Sequence, residues 1–216
     1  IIVAYIPVPG IGNPDLSMPE KNWANYFDSM ALPGVMWQKT WDPEGILSTF
    51  PAIVSGITGM LIGKLYLSIK DEYRRLAWIF FAGFMMFLAG GIWNWFFPIN
   101  KNLWTSSYVL YTSGLGTMGW AATILLVDIL GYTKWTKLGV IYGANAITSY
   151  VLAGMLTLVF FRMEIGGGSI NYWVMNSFTL AGLPPKLGSL IYAICYMLII
   201  YIPALMLYKR KIFIKV

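Results

Sequence analysis

Five stretches of this chain, residues 45–67, 76–97, 103–127, 138–161 and 187–208, stay apolar throughout, and only the first carries a charged side chain, Lys64. Crossing a bilayer takes about 20 mainly apolar residues in helical form. A backbone in hydrocarbon must satisfy its own amides and carbonyls, and continuous apolar runs of this length do so as helices. A closed barrel would instead show alternating segments of about ten residues, which this sequence lacks. The expected fold is an all-α integral membrane protein. It is a bundle of about five transmembrane helices, with a stub of a preceding one and a short outer amphipathic helix.

The charge balance agrees. Charged residues make up 11% of the chain, against about 25% in soluble domains, too few to cover a water-facing surface. The net charge of +6 is assigned to basic loops at one membrane face, not to nucleic-acid binding. Histidine is absent, so neither an imidazole base nor a histidine-held metal can come from this chain, and no metal site is expected. Cys195 lies inside an apolar run and is expected to act as a small hydrophobe.

Lysine and arginine set the orientation. Lys64, Lys70, Arg74, Arg75, Lys134, Lys137, Lys209, Arg210, Lys211 and Lys215 fall on one face, and Lys21, Lys39, Lys101, Arg162 and Lys186 on the other. The richer face is expected to be cytoplasmic, with the C-terminus there. Segment 7–44, the turn PINKN and segment 163–186 then face outward. Residues 1–6 read as the end of a truncated helix stopped by Pro7 and Pro9, ahead of an outer segment 7–44 and a five-helix region 45–216. The whole reads as the C-terminal part of a longer polytopic domain. Within 7–44, Trp23, Tyr26, Phe27 and Met30 recur at helical spacing and define the amphipathic helix. GGGSINYW, at 166–173, lacks the features of a phosphate loop and reads as a flexible turn.

Three motifs can carry chemistry. In WDPEG, at 41–45, Asp42 suits a helix N-cap, Pro43 the first helical position and Glu44 the positive helix end. An outward acid also suits a cationic amine, and both readings stand. In NKNLWTSS, at 100–107, Asn102 is the expected N-cap of the third span, Trp104 an interface anchor, and Ser106 or Ser107 a partner for backbone carbonyls. Lys101 is unusual, because lysine is disfavoured in a non-cytoplasmic turn. It either pairs with Asp42 or Glu44 or binds an anionic ligand. Asn145, in YGANAITSY, sits about 10 Å inside the fourth span. There an amide is helix glue or tunnel lining. Gly56, Gly59 and Gly63 offer a face that another helix can approach closely.

Taken in order, WDPEGILSTFPAIVSGITGMLIGKL, FPINKNLWTSSYVLYTSG, YGANAI and the tail YKRKIFIKV resemble the heparan-alpha-glucosaminide N-acetyltransferase family, which includes bacterial members described as NagX-like. The resemblance runs over essentially the whole chain, but covers only the C-terminal half of the family's membrane domain. It implies a membrane acyltransferase that takes acetyl from cytoplasmic acetyl-CoA, as co-substrate, and delivers it to the amine of a glucosamine-type sugar on the opposite side. It also implies that Asp42, Glu44, Asn100, Lys101, Asn102, Trp104 and Ser107 bind substrate or brace the outer mouth of the site. Asn145 would line or brace a tunnel. The family's catalytic histidine precedes this stretch, so no catalytic base is assigned. The partners implied are membrane lipid, the missing N-terminal half of the same protein, the amino-sugar acceptor and, through helix faces left open, a second copy of the chain. An amino-sugar permease and an inactive membrane fragment are the competing readings. A permease of the inverted-repeat kind should show an internal repeat, and none is evident.

Overall fold

The computed structural model describes residues 4–214 apart from Pro33, Val35 and Trp37. It divides into two compact units, Ile1–Gly131 and Tyr132–Val216. Of the expected helix stub, residues 1–3 lie outside the described residues, and residues 4–6 run through a tight turn.

The first unit holds α1 (Trp23–Ala31), α2 (Ile46–Ser68), α3 (Glu72–Trp93) and α4 (Ser106–Thr123), the last continuing as a π-helical turn over Ile124–Ile129. α1 is the anticipated amphipathic helix. Its cap is Asn22, which accepts from the Asn25 amide at 3.1 Å and donates to the carbonyls of Met18 and Pro19. α3 starts four residues before the apolar run does. Asp71 caps it by accepting from the Arg74 amide at 2.7 Å, so a polar first turn invisible to hydropathy joins the helix.

Small residues decide which helices meet. A Cβ placed on Gly90 would lie 2.4 Å from the Tyr111 nitrogen, and one on Gly114 would lie 2.4 Å from the Phe87 nitrogen. Only glycine lets α3 and α4 approach so closely, and this is the most extensively packed pair. Around it Ile62, Ile79, Ala121 and Ile124 form a core shared by α2, α3 and the end of α4. By contrast, an added Cβ on Gly56, Gly59 or Gly63 meets nothing within 4 Å among the described residues. The expected close-approach face is therefore open in this unit. Elsewhere Ile53, Val54, Phe80, Phe81 and Met85 are exposed along α2 and α3, an apolar surface suited to lipid or to another helix.

The second unit holds α5 (Lys137–Ala144), α6 (Ala146–Thr157) with a π-helical turn over Leu158–Arg162, strands β1 (Glu164–Ile165) and β2 (Gly168–Ser169), α7 (Ile170–Leu180) and α8 (Pro185–Lys209). Gly166 and Gly167, at φ 63° and 86°, make the two-residue turn between β1 and β2. Such a turn needs positive φ at both positions, which explains the glycine run. Ser169 then caps α7, accepting from the Tyr172 amide at 3.1 Å. Sequence 163–186 is thus partly helical where only a loop and turn were expected, because an 11-residue helix is too short to register as a span.

The fourth span differs from expectation in one important respect. It is no continuous helix but a pair, α5 and α6, bent by 83° at Asn145. Asn145 has φ −134° and ψ 49°, outside the helical region. α2, α3, α4 with its π-helical turn, and α8 are long and apolar enough to cross a membrane, and the bent pair makes a fifth if it is one span. The chain is an all-α membrane protein.

Candidate functional site

At one end of the first unit, the segment before α2 and the turn between α3 and α4 come together. Asn100 donates from Nδ2 to the Leu16 carbonyl at 2.7 Å, across 84 residues of sequence. This is the end expected to face outward, and most of the candidate residues lie here.

DPEG does not begin a helix. Asp42 accepts from the Glu44 amide at 2.8 Å, which folds the motif into an Asx turn. α2 starts only at Ile46, after Gly45. The free amide of Ile46 donates at 2.8 Å to Oδ1 of Asp28, a residue of α1. The expected cap, Asp42, is replaced by an acid from a neighbouring helix. The reason is steric as well as electronic. Gly45 is buried, and a Cβ there would stand 1.8 Å from Asp28 Oδ2, so the final glycine of the motif makes room for the Asp28 carboxyl. Asp28 is 1% exposed and its Oδ2 has no hydrogen-bond partner. Burial pushes its pKa up, the Ile46 amide opposes this, and the charge of Asp42 adds to it. Asp42, Pro43, Glu44 and Leu32 line a cavity of about 300 Å³ beside this cap.

The polar triplet in the α3–α4 turn is largely self-bonded. Asn100 accepts at Oδ1 from the Asn102 amide at 2.8 Å, and its own amide donates to Thr105 Oγ1 at 3.0 Å. Thr105, 3% exposed, also donates to the Pro98 carbonyl at 2.9 Å. Thr105 caps α4, accepting from the Tyr108 amide. Asn102 was the expected cap and is not. Ser107 is fully buried and shares a hydrogen bond with Thr105 at 3.0 Å, so it braces the turn from within. The Lys101 side chain is exposed.

Trp104 behaves differently. Its backbone sits at φ 50°, a left-handed conformation that a bulky side chain rarely adopts. Strain of this kind, of order 1–3 kcal/mol, persists where surrounding contacts over-determine a position. Here the indole nitrogen donates to Ser55 Oγ of α2 at 3.0 Å, and the ring meets Tyr108 edge-on at 5.3 Å. Trp104 thereby forms one wall of a pocket of about 210 Å³, with Trp23, Leu47, Pro51 and Leu103 opposite and beside it. Aromatic walls with Thr105 and Ser106 among the lining residues suit a small polar ring better than a charged ion.

Two cavities, one acidic and one aromatic, lie at the end of the unit where the outer mouth is expected. The structure places Asp42 and Glu44 at the first and Trp104 at the second, with Asn100 and Ser107 as braces behind. Asp28, Ser55, Trp23 and Thr105, which line or brace these cavities, were not among the expected site residues. Thr105 had a signal, since a threonine ahead of an apolar run is a strong cap. Asp28 and Ser55 had none, because their partners are distant in sequence.

Asn145 belongs to the second unit and is 0% exposed. Its Nδ2 donates to the Ile212 carbonyl and its Oδ1 accepts from the Ile214 amide, each at 3.0 Å. Both halves of the amide are therefore occupied by backbone. Among the described residues no group of three metal-binding side chains comes together.

No family model matches the chain. Over 119 residues, 51% of its length, the chain is 33% identical to heparan-alpha-glucosaminide N-acetyltransferase of Mus musculus, and the same holds for the Homo sapiens protein of that name. The matched stretch covers 18% of either relative. Over about half its length, then, this all-α membrane chain is a homologue of heparan-alpha-glucosaminide N-acetyltransferase.

Proposed function

We propose that the chain is part of a membrane N-acetyltransferase that moves acetyl from acetyl-CoA on the cytoplasmic side to the amine of a glucosamine-type sugar on the other. The 33% identity to proteins bearing that name carries the proposal. The site geometry is in keeping with it. A sugar ring packs against the Trp104 and Trp23 faces, and its ammonium group is drawn towards the carboxylates of Asp42 and Glu44. Before attack the ammonium must lose a proton, and the oxyanion formed from the thioester needs donors. Neither the base nor the donors are assigned to residues of this chain, which has no histidine.

A second reading, an amino-sugar permease, draws on the 83° break in the α5–α6 pair, since interrupted helices are common at transporter binding sites. The two are separated by purifying the full-length protein in detergent with labelled acetyl-CoA and glucosamine-terminated oligosaccharides. Label on the sugar supports the transferase. Sugar uptake into proteoliposomes without acetylation would leave the permease.

A further inference from the structure

α8 does not simply end at Lys209. Lys211 adopts φ 55°, and the amides of Lys211 and Ile212 bond back to the carbonyls of Tyr208 and Leu207, each at 3.0 Å. This is a Schellman-type closure with lysine where glycine is usual. The chain turns sharply and carries residues 212–214 back to Asn145. There the two 3.0 Å bonds from the Asn145 amide grip the tail at Ile212 and Ile214, while Phe213 packs edge-on against Tyr208 at 6.3 Å. The tail is thus fastened to the one position where the fourth span loses its helical ladder.

The hook is also strongly cationic. Lys209, Arg210 and Lys211 are exposed in succession. From Tyr132 to Val216 the sequence has eight lysines and arginines but a single acid, Glu164, which lies in β1 beyond the other end of α6. Among the described residues of this unit no side-chain carboxylate neutralises the hook. Beside the cations, Ile212, Phe213 and Ile214 are 44%, 46% and 48% exposed. All this sits at the end of a helix long and apolar enough to span a bilayer. Cations flanked by exposed apolar side chains, at that level, are complementary to anionic headgroups above hydrocarbon.

We propose that the hook, residues 208–214, is a docking site for anionic lipid headgroups, and that docking holds the tail on Asn145 and so fixes the bend between α5 and α6. Three adjacent cations in a left-handed turn repel one another. Lipid phosphates relieve that repulsion and let Ile212, Phe213 and Ile214 settle at the acyl boundary. With neutral lipids the two Asn145 bonds and the turn's own contacts hold the tail against that repulsion. The inference is independent of the transferase reading.

The test is hydrogen exchange at the Ile214 amide, whose acceptor is Asn145 Oδ1, in nanodiscs of phosphatidylcholine alone or mixed equally with phosphatidylglycerol. Exchange should be roughly tenfold slower with the anionic lipid, and the difference should shrink in high salt. The K209Q/R210Q/K211Q variant, altered only at exposed positions, should exchange equally fast in both discs. N145A should exchange fast in both, with the α3–α4 amides unchanged as a check on folding. Equal exchange of the unaltered protein in the two discs would overturn the proposal, as would slow exchange retained by the triple variant. Slowing by inorganic phosphate in phosphatidylcholine discs would also overturn it, since the hook would then be a site for free anions.

Discussion

A single carboxyl, Asp28, ties the amphipathic helix to the first long helix, and its chemistry is open to direct test. Asp28→Ala leaves the Ile46 amide without an acceptor, which should lower stability by about 1–3 kcal/mol in thermal unfolding. Asp28→Asn retains an oxygen for that amide and removes the buried charge, so it should be close to neutral. The two variants also differ in pH response. Burial raises the Asp28 pKa above its ordinary 3.8, so the folded state holds this proton more tightly than the unfolded one. Stability from this group is fully present below pH 3.8, falls as pH rises through the raised value, and is level beyond it. Asn should abolish that slope. Gly45→Ala forces a methyl onto the carboxyl and should destabilise by roughly 1–3 kcal/mol. Combining it with Asp28→Ala should cost less than the sum, because the clash is gone. Equal, additive losses would mean that the two residues do not share this space. Lys101→Met should reduce acetyl transfer more than folded yield, because its side chain is exposed at the end of the unit proposed to hold the acceptor.

At the scale of elements, what could be read from sequence depended on whether the signal was local. The long apolar runs and the amphipathic spacing of Trp23, Tyr26, Phe27 and Met30 follow from neighbours, and the structure shows both, whereas of the turn expected over 166–173 only Gly166 and Gly167 form one before β2 and α7 begin. Cap identity at α2 was not legible, because it depends on Asp28, 18 residues upstream of Ile46. Nor was the break at Asn145. An asparagine inside an apolar run gives no sign that the tail some 67 residues later will accept from its amide. Nor does glycine spacing tell which face is used within this unit. Gly56, Gly59 and Gly63 have the regular spacing, yet Gly90 and Gly114 make the close approach. Gly90→Leu or Gly114→Leu should therefore separate α3 from α4 and lower the detergent melting temperature sharply. Gly59→Ala should leave it nearly unchanged in this chain. A large loss from Gly59→Ala would show that the open face is covered by something in the protein after all.

The whole molecule presents two units whose polar features differ in kind. The first gathers acids and aromatic rings around cavities of about 300 and 210 Å³ at one end. The second fastens a basic tail to a broken helix. A membrane transferase working across a bilayer needs an acceptor site on one face and donor entry from the other. The central proposal, that acetyl crosses the bilayer, rests on the resemblance in sequence and is a claim about sides. The most direct measurement traps labelled acetyl-CoA inside proteoliposomes of the full-length protein and supplies glucosamine-terminated oligosaccharide outside, with orientation fixed by protease accessibility of the tail. The account predicts label on the external sugar from vesicles whose tail points inward, and none when donor and acceptor are exchanged. Label appearing only when both substrates share a compartment would contradict transfer across the membrane.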